Sequence, residues 1–198
     1  MSKRLFDLLV AALGLLLLSP LFLVVATWIR CDSAGPALFR QQRVGRDGAL
    51  FWIYKFRTMR HDSGGNTQLT VGRDARITRA GHLLRAYKID ELPQLLNVLG
   101  GSMSLVGPRP EVAHYVACYP DAVRREVLSV APGITDWASI AYRQENTILG
   151  KASDPEQVYL DEVLPAKLAF CQRYVRERNF WIDLRIIGGT LAVLLRKR

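Results

Sequence analysis

Asp90 and Glu91 stand side by side at the head of LPQLLNVL, with Arg85 and Lys88 just upstream. Pro93 fits the first turn of a helix, so the two carboxylates fall at a helix start, where adjacent side chains point apart and need not share one task. Capping that helix would by itself account for either acid, because free amides and the macrodipole favour negative charge there. Basic residues elsewhere turn the balance toward chemistry. Lys55 and Arg57 sit in YKFRTM, and Arg109 is held between prolines in GPRP. A carboxylate is a competent nucleophile at phosphorus when cations neutralise the substrate. A second carboxylate beside it can hold a magnesium ion that bridges phosphate oxygens. Structural salt bridges would use the same residues, so the pattern alone leaves both readings open.

Such chemistry has to be held somewhere, and the N-terminal segment says where. From Leu8 to Ile29 no residue is charged, and a straight helix of that length would reach roughly 33 Å, enough to cross a bilayer. A secretory signal fits poorly, because the apolar run is long and no Ala-x-Ala site closes it. A single span is the simplest alternative. Against it, Pro20 lacks an amide hydrogen and should bend or break the helix between Leu16 and Pro20, with Ser19 able to bond the released carbonyl. Lys3 and Arg4 precede the segment, while Arg30, Arg40, Arg43 and Arg46 follow it. Basic flanks prefer the cytoplasmic side, so both ends belong there. The expectation is a re-entrant helix-break-helix over residues 1–30, with Ser19-Pro20 as the membrane break, followed by a second domain over residues 31–198.

That second domain reads as α+β, mainly helical. ALFRQQRV and ALFWIYKF are rich in strand formers and flank GRDG, a small β-hairpin within residues 37–59. Residues 61–76 are polar and glycine-containing, a loop by composition. Helices are expected over 79–87, from Pro93 to about Leu99 (stopped by Gly100-Gly101), over 111–127, and over 155–178 behind a cap at Asp154 or Ser153. Leu92, Leu95, Leu96 and Leu99 recur at helical spacing as a buried or membrane-facing stripe. The tail, IIGGTLAVLL before Arg196-Lys197-Arg198, is too short to span and would lie along the headgroups or pack on the domain. Lysine and arginine outnumber aspartate and glutamate 27 to 18, a formal charge of +9. Beside a lipid segment, that excess points to anionic headgroups and phosphates. There is no aromatic-and-basic repeat of the base-stacking kind, so nucleic acid is not an expected partner. Cys31, Cys118 and Cys171 are odd in number and far apart, which suggests neither a disulfide framework nor a zinc knuckle. His61, His82 and His114 are equally dispersed.

Seven features follow one another in order: KRLFDLLVA, the Ser-Pro in the apolar segment, FRQQRVGRDG, YKFRTM, RITRAGHLLR, IDELPQLLNVLGGSMSLVGPRPE and PGIT. Together, from about residue 3 to 143, they resemble the bacterial sugar transferases, the monotopic polyprenyl-phosphate phosphoglycosyl transferases. The resemblance implies a re-entrant anchor in the bacterial inner membrane, a helical catalytic domain with its active site on the cytosolic face, a Mg2+ requirement and a two-step reaction. On that pattern Asp90 attacks the β-phosphate of a UDP-sugar and expels UMP, Glu91 helps to bind the magnesium, and the phosphosugar then passes to undecaprenyl phosphate. Arg85 matches a basic residue near the polyprenyl phosphate, while Lys55, Arg57, Arg109 and Arg143 match phosphate or nucleotide contacts. Asp136-Trp137 stands where the family often has Gly-Trp after PGIT, and ASIAYRQEN departs from a pattern ending in Gly-Arg-Asn. Those differences bear on the nucleotide and sugar contacts. The expected form is the short one, a minimal catalytic unit, and its uncovered apolar stripes permit a homodimer. Two other classes fit parts of the pattern: a membrane-anchored adaptor that binds anionic lipid without turnover, and a glycosyltransferase that releases UDP.

Overall fold

The structure is a computed structural model that describes residues 3–60 and 74–196. Its described residues form two compact units, the first from 3–42, 51–60 and 75–105, the second from 43–50, 74 and 106–196. The architecture is α+β and mainly helical, with two small two-stranded sheets.

The first unit opens with α1 (Lys3–Asp32), helical throughout with Pro20 inside it, where a bend or break was expected. The reason is local. Pro20 cannot donate to the carbonyl of Leu16 four residues earlier, and the Ser19 hydroxyl donates to that same oxygen at 2.8 Å. The orphaned carbonyl is satisfied and the helix continues. Both ends of α1 are fastened to this unit. Near its start, Arg4 donates to the carbonyls of Val98 (2.7 Å) and Leu99 (3.1 Å), and the Ser104 hydroxyl donates to buried Asp7 at 2.8 Å. Near its end, Val25 and Ile29 pack with Phe56 and Leu84, and the Ala80 amide donates to Asp32 at 3.1 Å. Between these anchors Leu16, Leu17, Leu23 and Val24 are each about two-thirds exposed or more, an apolar face too large for a water-soluble surface. α1 is long and apolar enough to cross a membrane.

The expected hairpin forms from β1 (Leu38–Val44) and β2 (Leu50–Phe56). Its turn needs left-handed backbone at Asp47 (φ 55°) and Gly48 (φ 80°), which an Asp-Gly pair supplies at little cost. Most of the expected 61–76 loop, His61 included, lies outside the described residues. α2 (Arg79–Ala86) is capped by the Thr78 hydroxyl, which accepts from Gly81 at 3.0 Å. The unit ends with α3 (Gln94–Leu99). Of the leucine stripe, Leu95 is buried against α1 at Gly14, whereas Leu96 and Leu99 are exposed.

The chain forms β3 (Ser104–Val106) where it passes from the first unit to the second, and β4 (Gly133–Thr135) lies within the second. A Cβ on Gly133 would collide with the Gly107 backbone, and one on Gly107 with the Ala131 carbonyl. Between the strands, the single helix expected over 111–127 is two, α4 (Ala113–Ala117) and α5 (Asp121–Val127). Pro120 separates them because it cannot donate the next helical bond. After α6 (Trp137–Ala141) and α7 (Glu145–Leu149), Asp154 caps α8 (Pro155–Val158) as expected, accepting from Glu156 and Gln157. A wide π turn over Tyr159–Val163 then leads into α9 (Leu164–Glu177), at a junction where Pro165 has no amide to donate. The tail is α10 (Phe180–Leu195), which buries Asp183 and Ile186 and leaves Trp181 and Leu195 exposed.

Candidate active site

The acid pair occupies a short 3-10 turn, Ile89–Glu91, between α2 and α3. Lys88 enters it in the left-handed region at φ 57°, a conformation that costs a side-chain-bearing residue roughly 1–2 kcal/mol. Neither acid caps a helix, since no side-chain cap is made to the turn or to α3. Capping therefore does not account for the pair.

Asp90 and Glu91 are both buried but differently served. Glu91 Oε1 accepts from Lys55 Nζ at 3.0 Å. Asp90 Oδ1 is buried with no hydrogen-bond partner, a state that ordinarily costs about 1–3 kcal/mol. Burial pushes the Asp90 carboxyl above its ordinary range and the neighbouring Glu91 charge pushes it further, while Lys55, Lys88 and Arg85 only partly offset them.

Three elements set this geometry. β2 delivers Lys55, and its register against α3 is held by Asn97. The Tyr54 amide donates to Asn97 Oδ1 at 3.0 Å, and Asn97 Nδ2 donates to the Trp52 carbonyl at 2.7 Å and to Ser102 Oγ at 3.3 Å. α2 delivers Arg85, whose Nε donates to Thr58 Oγ1 at 2.8 Å. Lys55, Arg85, Asp90 and Glu91 thus come together in one unit.

Arg57 belongs to the same unit, its guanidinium turned to backbone carbonyls. Its nitrogens donate to the carbonyls of Pro36, Ala34 and Ser33, each at 2.7 Å, which secures the chain leaving α1. Arg109 and Arg143 belong to the second unit. The Arg109 amide donates to buried Asp136 at 3.2 Å. Its charge bears on Glu111, which also meets Arg43 at 3.1 Å, Lys167 at 3.3 Å and the Tyr159 hydroxyl at 3.1 Å. Burial alone would raise the Glu111 carboxyl, but Lys167, Arg43 and Arg109 outweigh it and hold it below its ordinary range. Arg143 is half-buried between α6 and α7.

Among the described residues no three His, Cys, Asp or Glu side chains gather as a metal cage. Two adjacent carboxylates fit the partial set that Mg2+ takes when phosphates supply further oxygens, and the unpartnered Asp90 Oδ1 is an oxygen available to such an ion. Buried Gln94 and Asn97 are not among the site residues expected from the sequence. The available signal was two amides interrupting the apolar run LPQLLNVL, one of them four residues after Asp90.

Residues 1–197 match the family model described as bacterial sugar transferase. Among curated relatives, a UDP-glucose:undecaprenyl-phosphate glucose-1-phosphate transferase of Xanthomonas campestris pv. campestris is 41% identical over 98% of this chain and 39% of its own length. A protein of the same name from Caulobacter vibrioides is 41% identical over 98% of this chain and 70% of its own length. A UDP-N-acetylgalactosamine-undecaprenyl-phosphate N-acetylgalactosaminephosphotransferase of Aeromonas hydrophila is 36% identical over 98% of this chain and 43% of its own length. The chain therefore spans less than half the length of two of these relatives.

Proposed function

The chain belongs to the bacterial sugar transferase family, and from that premise we propose that it transfers a sugar 1-phosphate from a UDP-sugar to undecaprenyl phosphate through a covalent intermediate on Asp90. The observation that carries the reading is Asp90 itself: a buried carboxylate with one unpartnered oxygen, beside a Glu91 already engaged by Lys55. The relatives' names share the UDP donor and the undecaprenyl-phosphate acceptor.

In the first step Asp90 Oδ forms a bond to the β-phosphorus, the bond from that phosphorus to the bridging oxygen breaks, and UMP leaves with the electron pair. In the second, a phosphate oxygen of undecaprenyl phosphate attacks the same phosphorus and Asp90 departs as a carboxylate. The product is a polyprenyl-diphosphate-linked sugar. Burial keeps water from competing for the acyl phosphate and leaves the nucleophile poorly solvated. Lys55 and Arg85 reduce the repulsion between the carboxylates and the incoming phosphates. When bound, Mg2+ held by Glu91 beside Asp90 would neutralise phosphate oxygens and stabilise the departing UMP.

The lipid acceptor requires the site at a membrane face. A spanning α1 would carry one end away across the bilayer. The fastening of Arg4 and Asp7 at one end and of Ile29 and Asp32 at the other to a single unit supports entry and return from the cytosolic side, as do the basic flanks. The test is a nucleotide-product assay with UDP-glucose, UDP-N-acetylgalactosamine and other UDP-sugars, undecaprenyl phosphate and Mg2+. UMP should appear in step with the lipid product. UDP release would make the protein an ordinary glycosyltransferase. Salt-sensitive liposome binding without turnover would make it an adaptor.

A further inference from the structure

The described residues contain five buried side-chain atoms with no hydrogen-bond partner, and two of them are Asp90 Oδ1 and Gln94 Nε2. These two lie four residues apart. Leu92 (φ −56°, ψ −33°) and Pro93 (φ −60°, ψ −14°) keep the chain in right-handed conformation from the 3-10 turn into α3, so both side chains leave one short stretch of backbone. Gln94 is 1% exposed. Asn97, one turn further and also buried, has both its amide atoms bonded within the unit. Buried amides in this helix are thus used for structure where structure needs them, and Gln94 is the exception. A buried donor with no partner calls for an explanation, and a group outside the chain that meets it is one.

We infer that Gln94 is a phosphoryl-holding residue, whose carboxamide N–H donates to a non-bridging oxygen of the phosphoryl group while that group is carried on Asp90. An amide suits this position better than a third cation. It donates at any pH, tolerates complete burial without ionising, and leaves the nucleophilicity of Asp90 intact. The inference rests on the covalent reading of Asp90, and it adds a catalytic residue that binds transferring phosphate rather than nucleotide or lipid.

The test compares the full-length chain with Gln94→Leu, near in size and lacking the unmet amide, and with Gln94→Glu. Gln94→Leu should melt at or above the wild-type temperature. Its kcat should fall about a hundredfold, the scale seen when one preorganised donor is removed, with little change in KM for the UDP-sugar and with slower formation of the Asp90 adduct. Gln94→Glu sets a third carboxylate beside the pair, so its kcat should also fall and its acid limb should move to higher pH. A Gln94→Leu variant that turns over at the wild-type rate overturns the inference and leaves the covalent reading standing. So does one that loses thermal stability while its folded fraction keeps normal kcat, because that would make Gln94 structural. A wild-type protein that forms no adduct and releases no UMP overturns both.

Discussion

Asp90 carries two opposed demands. In the proposed reaction it must be ionised to attack phosphorus, yet burial and the Glu91 charge raise its carboxyl above the ordinary range despite Lys55, Lys88 and Arg85. A carboxyl raised in the folded state contributes stability that is complete below its unfolded pKa and is lost as pH rises through the folded one. At neutral pH the ionised group therefore weighs against the fold. Asp90→Asn should melt higher than wild type at pH 7, lose that advantage near pH 3, and lose activity by a factor on the order of 1,000 or more; paired melting curves and rates check both. Lys55 is among the groups that hold the Asp90 carboxyl down. Lys55→Ala should shift the acid limb of kcat/KM to higher pH, as read from a pH–rate profile. The acid pair and Lys55 were legible in the sequence because charge clusters are written in residue types. The unmet Gln94 amide was not, since whether a buried amide is bonded depends on the neighbours that packing brings to it.

Elements decide what an arginine does. Arg57 and Lys55 are two residues apart in YKFRTM, and nothing in the motif separates a phosphate contact from a structural clamp. The fold gives them different partners: Lys55 meets Glu91, while the Arg57 fork closes on carbonyls beyond α1. Arg57→Lys keeps the charge but cannot reproduce a planar fork. It should cost about 2 kcal/mol or more of stability, given two to three bonds from a charged donor, while kcat/KM of the folded fraction stays near wild type. Denaturant melts with matched kinetics would show this, and a raised KM at unchanged stability would instead make Arg57 a substrate contact. The same scale explains why residues 1–30 were only partly legible. Pro20 forecasts a missing bond, but the Ser19 hydroxyl at the Leu16 carbonyl keeps the helix continuous. Pro120, with no such neighbour, does end a helix. The strands β3 and β4, three residues each, are too short to show a period.

At the scale of the molecule, the proposed reaction requires two anionic reactants of opposite solubility to meet: a sugar diphosphate from water and a phosphate on a lipid. A chain of formal charge +9 with an exposed apolar helix suits that meeting. If α1 enters and returns, both its ends face the cytosol. In a Cys118→Ser background, the natural exposed Cys31 and a Lys3→Cys substitution should both react with an impermeant thiol reagent only from the cytosolic side. Periplasmic labelling at position 3 would establish a span instead. The most direct measurement is the intact mass of the protein quenched after exposure to UDP-sugar and Mg2+ without lipid acceptor. We expect a gain equal to one phosphosugar, localised to Asp90, lost on adding undecaprenyl phosphate and missing from Asp90→Asn. Normal turnover by the Asp90→Asn variant, with no adduct at any time in the wild type, would contradict it.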